Sequence, residues 1–220
     1  KSQVVRIFDN LEIINFNYDR CIEHYLPISI AAYYGLSPDA IREIMNGLTI
    51  HRPYGVAGRL PWQRGDSPSV RFGESSPRLL ANVAQQVRTF TERVNEGDEL
   101  AAMRATITGA DRIVFLGFAF HRQNIDLLSQ KMEDHAEIVA TAYNISKSDV
   151  AVIEREISKA FEHKYVMHDT RIELTNMTCH QFFKDYWRTL TAEKGAHEPF
   201  QLPNMTPRIP AIPSWPRIET

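Results

Sequence analysis

The chain has 220 residues, 43% of them hydrophobic, with 25 basic against 27 acidic side chains, which suits one domain with a sizeable core and a short appendage. No apolar run approaches the roughly eighteen residues of a membrane-spanning helix, and near-balanced charge excludes a global field for nucleic acid, leaving only local patches. The opening KSQVVRIFDN lacks a signal-peptide core, so a cytoplasmic protein with no membrane partner is expected. Cys21 and Cys179, far apart in apolar helical contexts, predict buried reduced thiols, and two cysteines are too few for a four-cysteine zinc site.

Residues 11–16, LEIINF, form the short β-branched and aromatic run of a strand buried on both faces. The run stops on Asn17-Tyr18-Asp19, where Asp19 can cap a helix carrying Ile22, Tyr25 and Leu26. Ser37-Pro38 opens a second helix, with Ile41, Ile44 and Met45 on one face, ending at Gly47. LTIHRPYG predicts a strand and then a loop. Residues 56–76, rich in Gly, Pro, Arg and Ser, predict a long loop, functional or mobile, for which a lid is one role. Ser76-Pro77 opens a long amphipathic helix through Leu79, Val83, Val87, Phe90 and Val94, and Leu100, Met103 and Ile107 mark another.

RIVFLGF, residues 112–118, is the strongest strand; it breaks at Gly117 before a helix of Ile125, Leu128 and Met132. AEIVATAYN repeats the arrangement. A helix of Val150, Ile153, Ile157 and Phe161 leads to the last strand region, YVMHDTRIEL, and then to the aromatic helix CHQFFKDYWRTL. This alternation predicts an α/β, Rossmann-like domain over residues 1–193, with a mostly parallel sheet and helices on both faces. Ile13-Ile14, Val114-Phe115 and Val139-Ala140 are expected on neighbouring parallel strands. Residues 194–220 hold prolines at 199, 203, 207, 210, 213 and 216 and cannot build their own core. Phe200, Leu202, Ile209, Ile212 and Trp215 among them predict a tail packed on its own domain or on a neighbouring subunit of a homo-oligomer.

Three strand ends then carry polar or glycine segments: Asn17-Tyr18-Asp19, Gly117-Phe118-Ala119 and Tyr143-Asn144-Ile145. In a doubly wound sheet they would line one crevice, where amides and helix amino ends favour phosphate and Asn or Asp binds ribose hydroxyls. His51 through Gly55 would approach from the same edge. Taken singly, each Asn or Asp reads equally well as a helix cap. His121, His168 and His180 are too widely spaced for a local metal motif, and no metal is expected. His135, His163 and His197 sit in polar surroundings. Phe182, Phe183, Tyr186 and Trp187 follow a helix face and read as core or interface before a base-stacking platform. Arg59, Arg64 and Arg71 could meet phosphate, with a solvated loop as the default.

FNYD before a helix, a later His and Tyr-Gly, an LGF strand end followed by FHRQNIDLL, and ATAYNIS occur in that order. Together they resemble the SIR2-like proteins of bacteria, and among these the sirtuin-related NAD-binding domains of antiphage defence systems more than the protein deacylases. The resemblance spans Asp9 to Leu190. It implies NAD as substrate or ligand, with Asn17 and Asp19 on its nicotinamide and ribose side and Tyr18, Tyr54 and Gly55 beside them. It further implies Gly117 and Phe118 packed against the cofactor and Asn144 at the adenosine ribose.

Two features depart from the family pattern. Residues 1–10 contain no glycine for the family's pyrophosphate turn, so the domain is expected to be incomplete at its amino end. The family's catalytic His directly precedes a Gly; here Tyr54 precedes Gly55 and His51 lies three positions earlier. An imidazole suits proton transfer near neutrality, which makes His51 the catalytic candidate beside Asn17, with Tyr54 next. The expected activity is NAD+ hydrolysis at the nicotinamide glycosidic bond, with a second defence-system protein as partner. Missing zinc cysteines argue against deacylation. The alternative is a catalytically silent nucleotide-sensing or assembly module, which the altered His51–Gly55 segment favours.

Overall fold

A computed structural model describes residues 6–74, 81, 83–84, 86–87, 98–132, 136–162 and 171–191. The chain divides into two compact units, one within residues 1–92 and the other within 93–201. The boundary expected at residue 193, the proline-bearing tail, and His135, His163, His168 and His197 lie outside the described residues.

The first unit runs β1 (Glu12–Ile14), α1 (Cys21–Tyr34), α2 (Pro38–Met45) and β2 (Thr49–His51). β1 and β2 pair in parallel, Glu12 opposite Thr49 and Ile14 opposite His51. β1 is shorter and less covered than LEIINF predicts: Leu11 is exposed and the strand itself is at best half-buried. Its described sheet has only two strands, so the chain beyond Ile14 leaves the ladder and satisfies its amides nearby. The Asn15 N–H donates to the His51 carbonyl at 2.9 Å and the Asn17 N–H to Asn15 Oδ1 at 2.9 Å.

α2 forms where the sequence predicts it. Ser37 is extended, its hydroxyl accepts the Ala40 N–H, and Pro38 fills the first turn, where no amide hydrogen is needed. Ile41, Ile44 and Met45 are buried with Phe8 and Ile30, against a margin that includes Leu26, Leu48 and Trp62. Each such side chain contributes about 1.5–3 kcal/mol on burial. α1 ends on Gly35, whose φ of +62° sends its N–H back to the Ala31 carbonyl. Residues 52–74 form no regular element but are packed: Leu60 and Val70 are buried, and Arg59 exchanges backbone hydrogen bonds with Pro68 and Val70. Of the long helix expected after Ser76, residues 81, 83 and 84 are helical and most of the rest lies outside the described residues.

The second unit runs α3 (Asp98–Thr108), β3 (Arg112–Phe115), α4 (Arg122–Leu128), β4 (Glu137–Thr141), α5 (Lys147–Ala160), β5 (Ile172–Thr175), α6 (Cys179–Asp185) and α7 (Trp187–Thr191). Its three strands are parallel in the order β3-β4-β5. Central β4 buries Ile138, Val139 and Ala140 completely, as a strand covered on both faces must. α4 and α5, which connect the strands in sequential order, pack together. Val114-Phe115 lies opposite Val139-Ala140, the expected neighbours. Ile13-Ile14 does not join them; it pairs with Ile50-His51 in the separate two-stranded sheet. The next strand in sequence captured it, the commonest outcome for consecutive strands.

The architecture is α/β, with parallel strands joined by helices, and is compatible with a Rossmann-like fold. Among the described residues no helix is long and apolar enough to cross a membrane.

Candidate functional site

The junction between β1 and α1 is fixed from its backbone side. Arg52 Nη1 donates to the carbonyls of Asn17 and Asp19 at 2.8 and 2.7 Å, and the Ala57 N–H donates to the Tyr18 carbonyl at 3.0 Å. Arg52 Nη2 in turn meets both carboxylate oxygens of Glu23, in the first turn of α1, at 2.6 and 2.7 Å. Arg52 and Glu23 are both buried, so this is a desolvated ion pair in which one guanidinium nitrogen meets both carboxylate oxygens while the other holds the carbonyls. With its three carbonyls held, the triplet exposes Asn17 and Asp19.

Asp19 also accepts the Cys21 N–H at 2.9 Å. That bond holds its carboxyl below the usual carboxylate range, against a smaller opposing effect of burial. Cys21 is exposed, contrary to the buried thiol expected, because it stands at the first position of α1; the Asp19 carboxylate accepting from its thiol raises the thiol's pKa. Cys179 is half-buried, and both thiols are free. Arg20, between Asp19 and Cys21, is buried, and burial lowers its pKa. Its guanidinium donates to the carbonyls of Arg59, Val70 and Arg71 at 3.3, 2.5 and 3.3 Å, pinning the long loop to the start of α1. The Arg59 side chain is occupied within the loop, by the carbonyls of Ser67 and Gln63.

His51 ends β2 and is buried at 7% exposure. Its Nε2 lies 2.9 Å from Glu12 Oε2, on the neighbouring strand and back along the sheet. Tyr54 is buried, its hydroxyl pKa raised first by that burial and then by Tyr18 nearby, and its ring meets Phe16 edge-on at 5.7 Å. Gly55 is required where it stands: φ is +80°, and a Cβ would come within 2.0 Å of the Gln86 carbonyl oxygen. The first unit thus gathers Asn17, Tyr18 and Asp19 with the Arg52–Gly55 turn, while His51 is engaged with Glu12.

In the second unit, Gly117 and Asn144 follow β3 and β4 at the carboxyl edge of one sheet, the edge at which open α/β sheets bind ligands. Both have left-handed backbone, φ +58° in each case. The Gly117 N–H donates to Thr141 Oγ1 at 2.9 Å, and the Asn144 N–H to Asn176 Oδ1 at 2.9 Å. Thr141 and Thr175, the last residues of β4 and β5, each donate their hydroxyl to the end of the preceding strand, at the Phe115 and Ala140 carbonyls. Phe118 packs on Phe115 and Phe120, with centroids 5.2 and 5.3 Å away. Ser146 caps α5, accepting the Asp149 N–H.

Among the described residues no group of three or more His, Cys, Asp or Glu could hold a metal ion. His121 and His180 are both exposed. The residues that set the geometry but were not singled out in the sequence are Arg52, Glu23, Arg20 and Thr141. One signal was present: Glu23 is the only acidic residue in the apolar helix CIEHYLPISIAAYY, and a carboxylate on a covered face needs a cation. No protein-family model, curated protein or solved structure matches the chain.

Proposed function

We propose that the chain is a SIR2-like NAD-binding protein that hydrolyses the nicotinamide glycosidic bond. The observation that supports this best is the Asn17-Tyr18-Asp19 junction, clamped through its carbonyls so that an amide and an ionised carboxylate face outward from a strand-to-helix turn. NAD carries a cationic leaving group, so the protein need mainly hold the ribose, stabilise positive charge as the bond breaks and orient water. Asn17 orients the water or the nicotinamide amide. Asp19, held ionised, faces the ribose and the charge that develops there. His51 accepts a proton from the water, with Glu12 at 2.9 Å to balance the resulting charge. Gly117, Phe118 and Asn144 enter on the resemblance alone, as does the setting: cytoplasmic antiphage defence, a homo-oligomer and a second defence protein as partner.

The test is incubation with NAD followed by chromatography for nicotinamide and ADP-ribose. Asn17→Ala, with folding checked by circular dichroism, should lower turnover about a hundredfold or more, the scale of one preorganised polar contact. Turnover equal to wild type in a folded variant rejects the mechanism. The burial of His51 against Glu12 favours a second reading, a silent NAD-sensing module. Under it, calorimetry finds NAD binding that Asp19→Asn weakens, with no nicotinamide released.

A further inference from the structure

The last helical run among the described residues, α6 and α7, presents two unlike faces. Inward, Phe182 is fully buried and stacks on Tyr186 at 4.6 Å, while the Tyr186 hydroxyl donates to Glu173 on β5. Hydrogen bonds from the Tyr186 N–H to the Phe182 carbonyl (2.8 Å) and from the Leu190 N–H to the Tyr186 carbonyl (2.9 Å) carry the helical phase from α6 into α7. Outward, His180, Phe183, Lys184, Trp187 and Arg188 recur at helical spacing and are all exposed. Phe183 and Trp187 keep 53% and 42% of their surface in water, so of the two roles expected for the cluster, core or interface, Phe182 takes the core and these two stand outside it. The Arg188 guanidinium lies over the Trp187 ring, 5.4 Å from its centroid. Asp185, the only carboxylate of these helices, is exposed at the margin of the stripe, three residues before Arg188.

We propose that this face binds single-stranded nucleic acid, with bases stacked on Phe183 and Trp187 and phosphates on Lys184 and Arg188. Stacking suits any base, since every base has a π face. Residues four apart on a helix are separated by about 6 Å along its axis, nearly twice the ~3.4 Å step of a stacked strand, so successive bases can splay and each meet a ring. A protein partner would also favour Trp, Phe and Arg. Lysine, however, is depleted from such interfaces, and here Lys184 stands between the aromatics, with two cations on the stripe against one carboxylate, Asp185, at its margin. The net charge of −2 provides no long-range attraction, so the stripe itself must supply affinity and only modest salt dependence.

The test is fluorescence anisotropy of the full chain with labelled twelve-nucleotide oligo(dT) and oligo(rU). Saturable binding is expected, with a log–log salt slope near −1.4, as two cations on a single strand give. Trp187→Ala should weaken it about tenfold or more, Trp187→Phe should retain most of it, and Lys184→Gln should reduce the slope by about 0.7. Both rings are exposed, so these variants should keep the wild-type circular dichroism; the Trp187→Phe and Lys184→Gln arms decide the matter if truncation does not. The proposal is overturned by absence of saturable binding, or by binding indifferent to both Trp187→Ala and Phe183→Ala. It is equally overturned if light scattering shows that these substitutions dissociate an oligomer, which would make the face a contact between copies.

NAD turnover plays no part in this readout.

Discussion

The strand-end turns of the two units are fastened by different chemistry. In the first, the carbonyls of Asn17 and Asp19 hang on one guanidinium, and Arg52 is itself neutralised by buried Glu23. In the second, Gly117 and Asn144 are held by neutral groups, the Thr141 hydroxyl and the Asn176 amide. Charges there sit at the opposite edge of the sheet, where Glu137 meets Arg112 at 2.9 Å and Arg171 at 3.5 Å in partly solvated positions. A solvated pair contributes little and fails gently. A desolvated pair fixes geometry strongly, but only while both partners are present. The ionic clamp should therefore respond to damage as a unit and the neutral edge in small steps.

The sharpest way to break this contrast is Glu23→Ala. It leaves the Arg52 guanidinium buried without its counter-charge, a loss of about 3–5 kcal/mol, which is a large part of the ~5–15 kcal/mol that holds a domain folded. Denaturant unfolding should show a sharply lowered midpoint. Replacing the pair together, Glu23→Leu with Arg52→Met, should recover most of that loss. Recovery should be incomplete, because the Asn17 and Asp19 carbonyls lose their donor. A Glu23→Ala protein within about 1 kcal/mol of wild type would mean that water reaches Arg52 and that the clamp is not one.

What was legible in the sequence follows the same division. Periodicity and capping chemistry located α2 and α5, and the apolar runs of β3 and β4 gave their parallel pairing, because patterns of this kind depend on neighbours in sequence. Asn17, Gly117 and Asn144 were found at strand ends for the same reason. Arg52 bonds carbonyls 33 and 35 residues away, and no local pattern encodes such a contact. The pairing of His51 with Glu12 was hidden too, since it depends on the register of β1 against β2. The aromatic helix was legible only as core or interface: a face count identifies a stripe, but the structure was needed to divide it into buried Phe182 and exposed Phe183 and Trp187.

A smaller effect is expected from Thr141→Val, which keeps the shape of a buried side chain and removes the acceptor for the Gly117 N–H. About 1–2 kcal/mol should be lost. Thr175→Val, which removes only a bond donated to the Ala140 carbonyl, should cost less than that. The same denaturant titrations check both. If Thr141→Val matched Glu23→Ala, the distinction between graded and all-or-none fastening would fail.

The smallest effect at neutral pH belongs to Tyr186, where a neutral hydroxyl is set against a carboxylate. Its pKa is pushed up to about 12, first by burial and then by the hydrogen bond to Glu173. In the unfolded chain it returns to about 10. A group whose folded pKa is raised contributes stability that is fully present below pH 10 and is lost as the pH climbs toward 12. Tyr186→Phe should therefore cost only about 1 kcal/mol at pH 7, since Glu173 is part-exposed and regains water. The same variant should lack the part of the alkaline destabilisation that belongs to this residue. Tyrosinate absorbance gives the direct reading. Eight tyrosines are present, and burial also raises Tyr54, so the comparison is between wild type and variant. The difference spectrum should appear near pH 12. A difference centred near pH 10 would show that the Tyr186 hydroxyl is solvated and that the end of α6 is held by the Phe182 stack without the bond to Glu173.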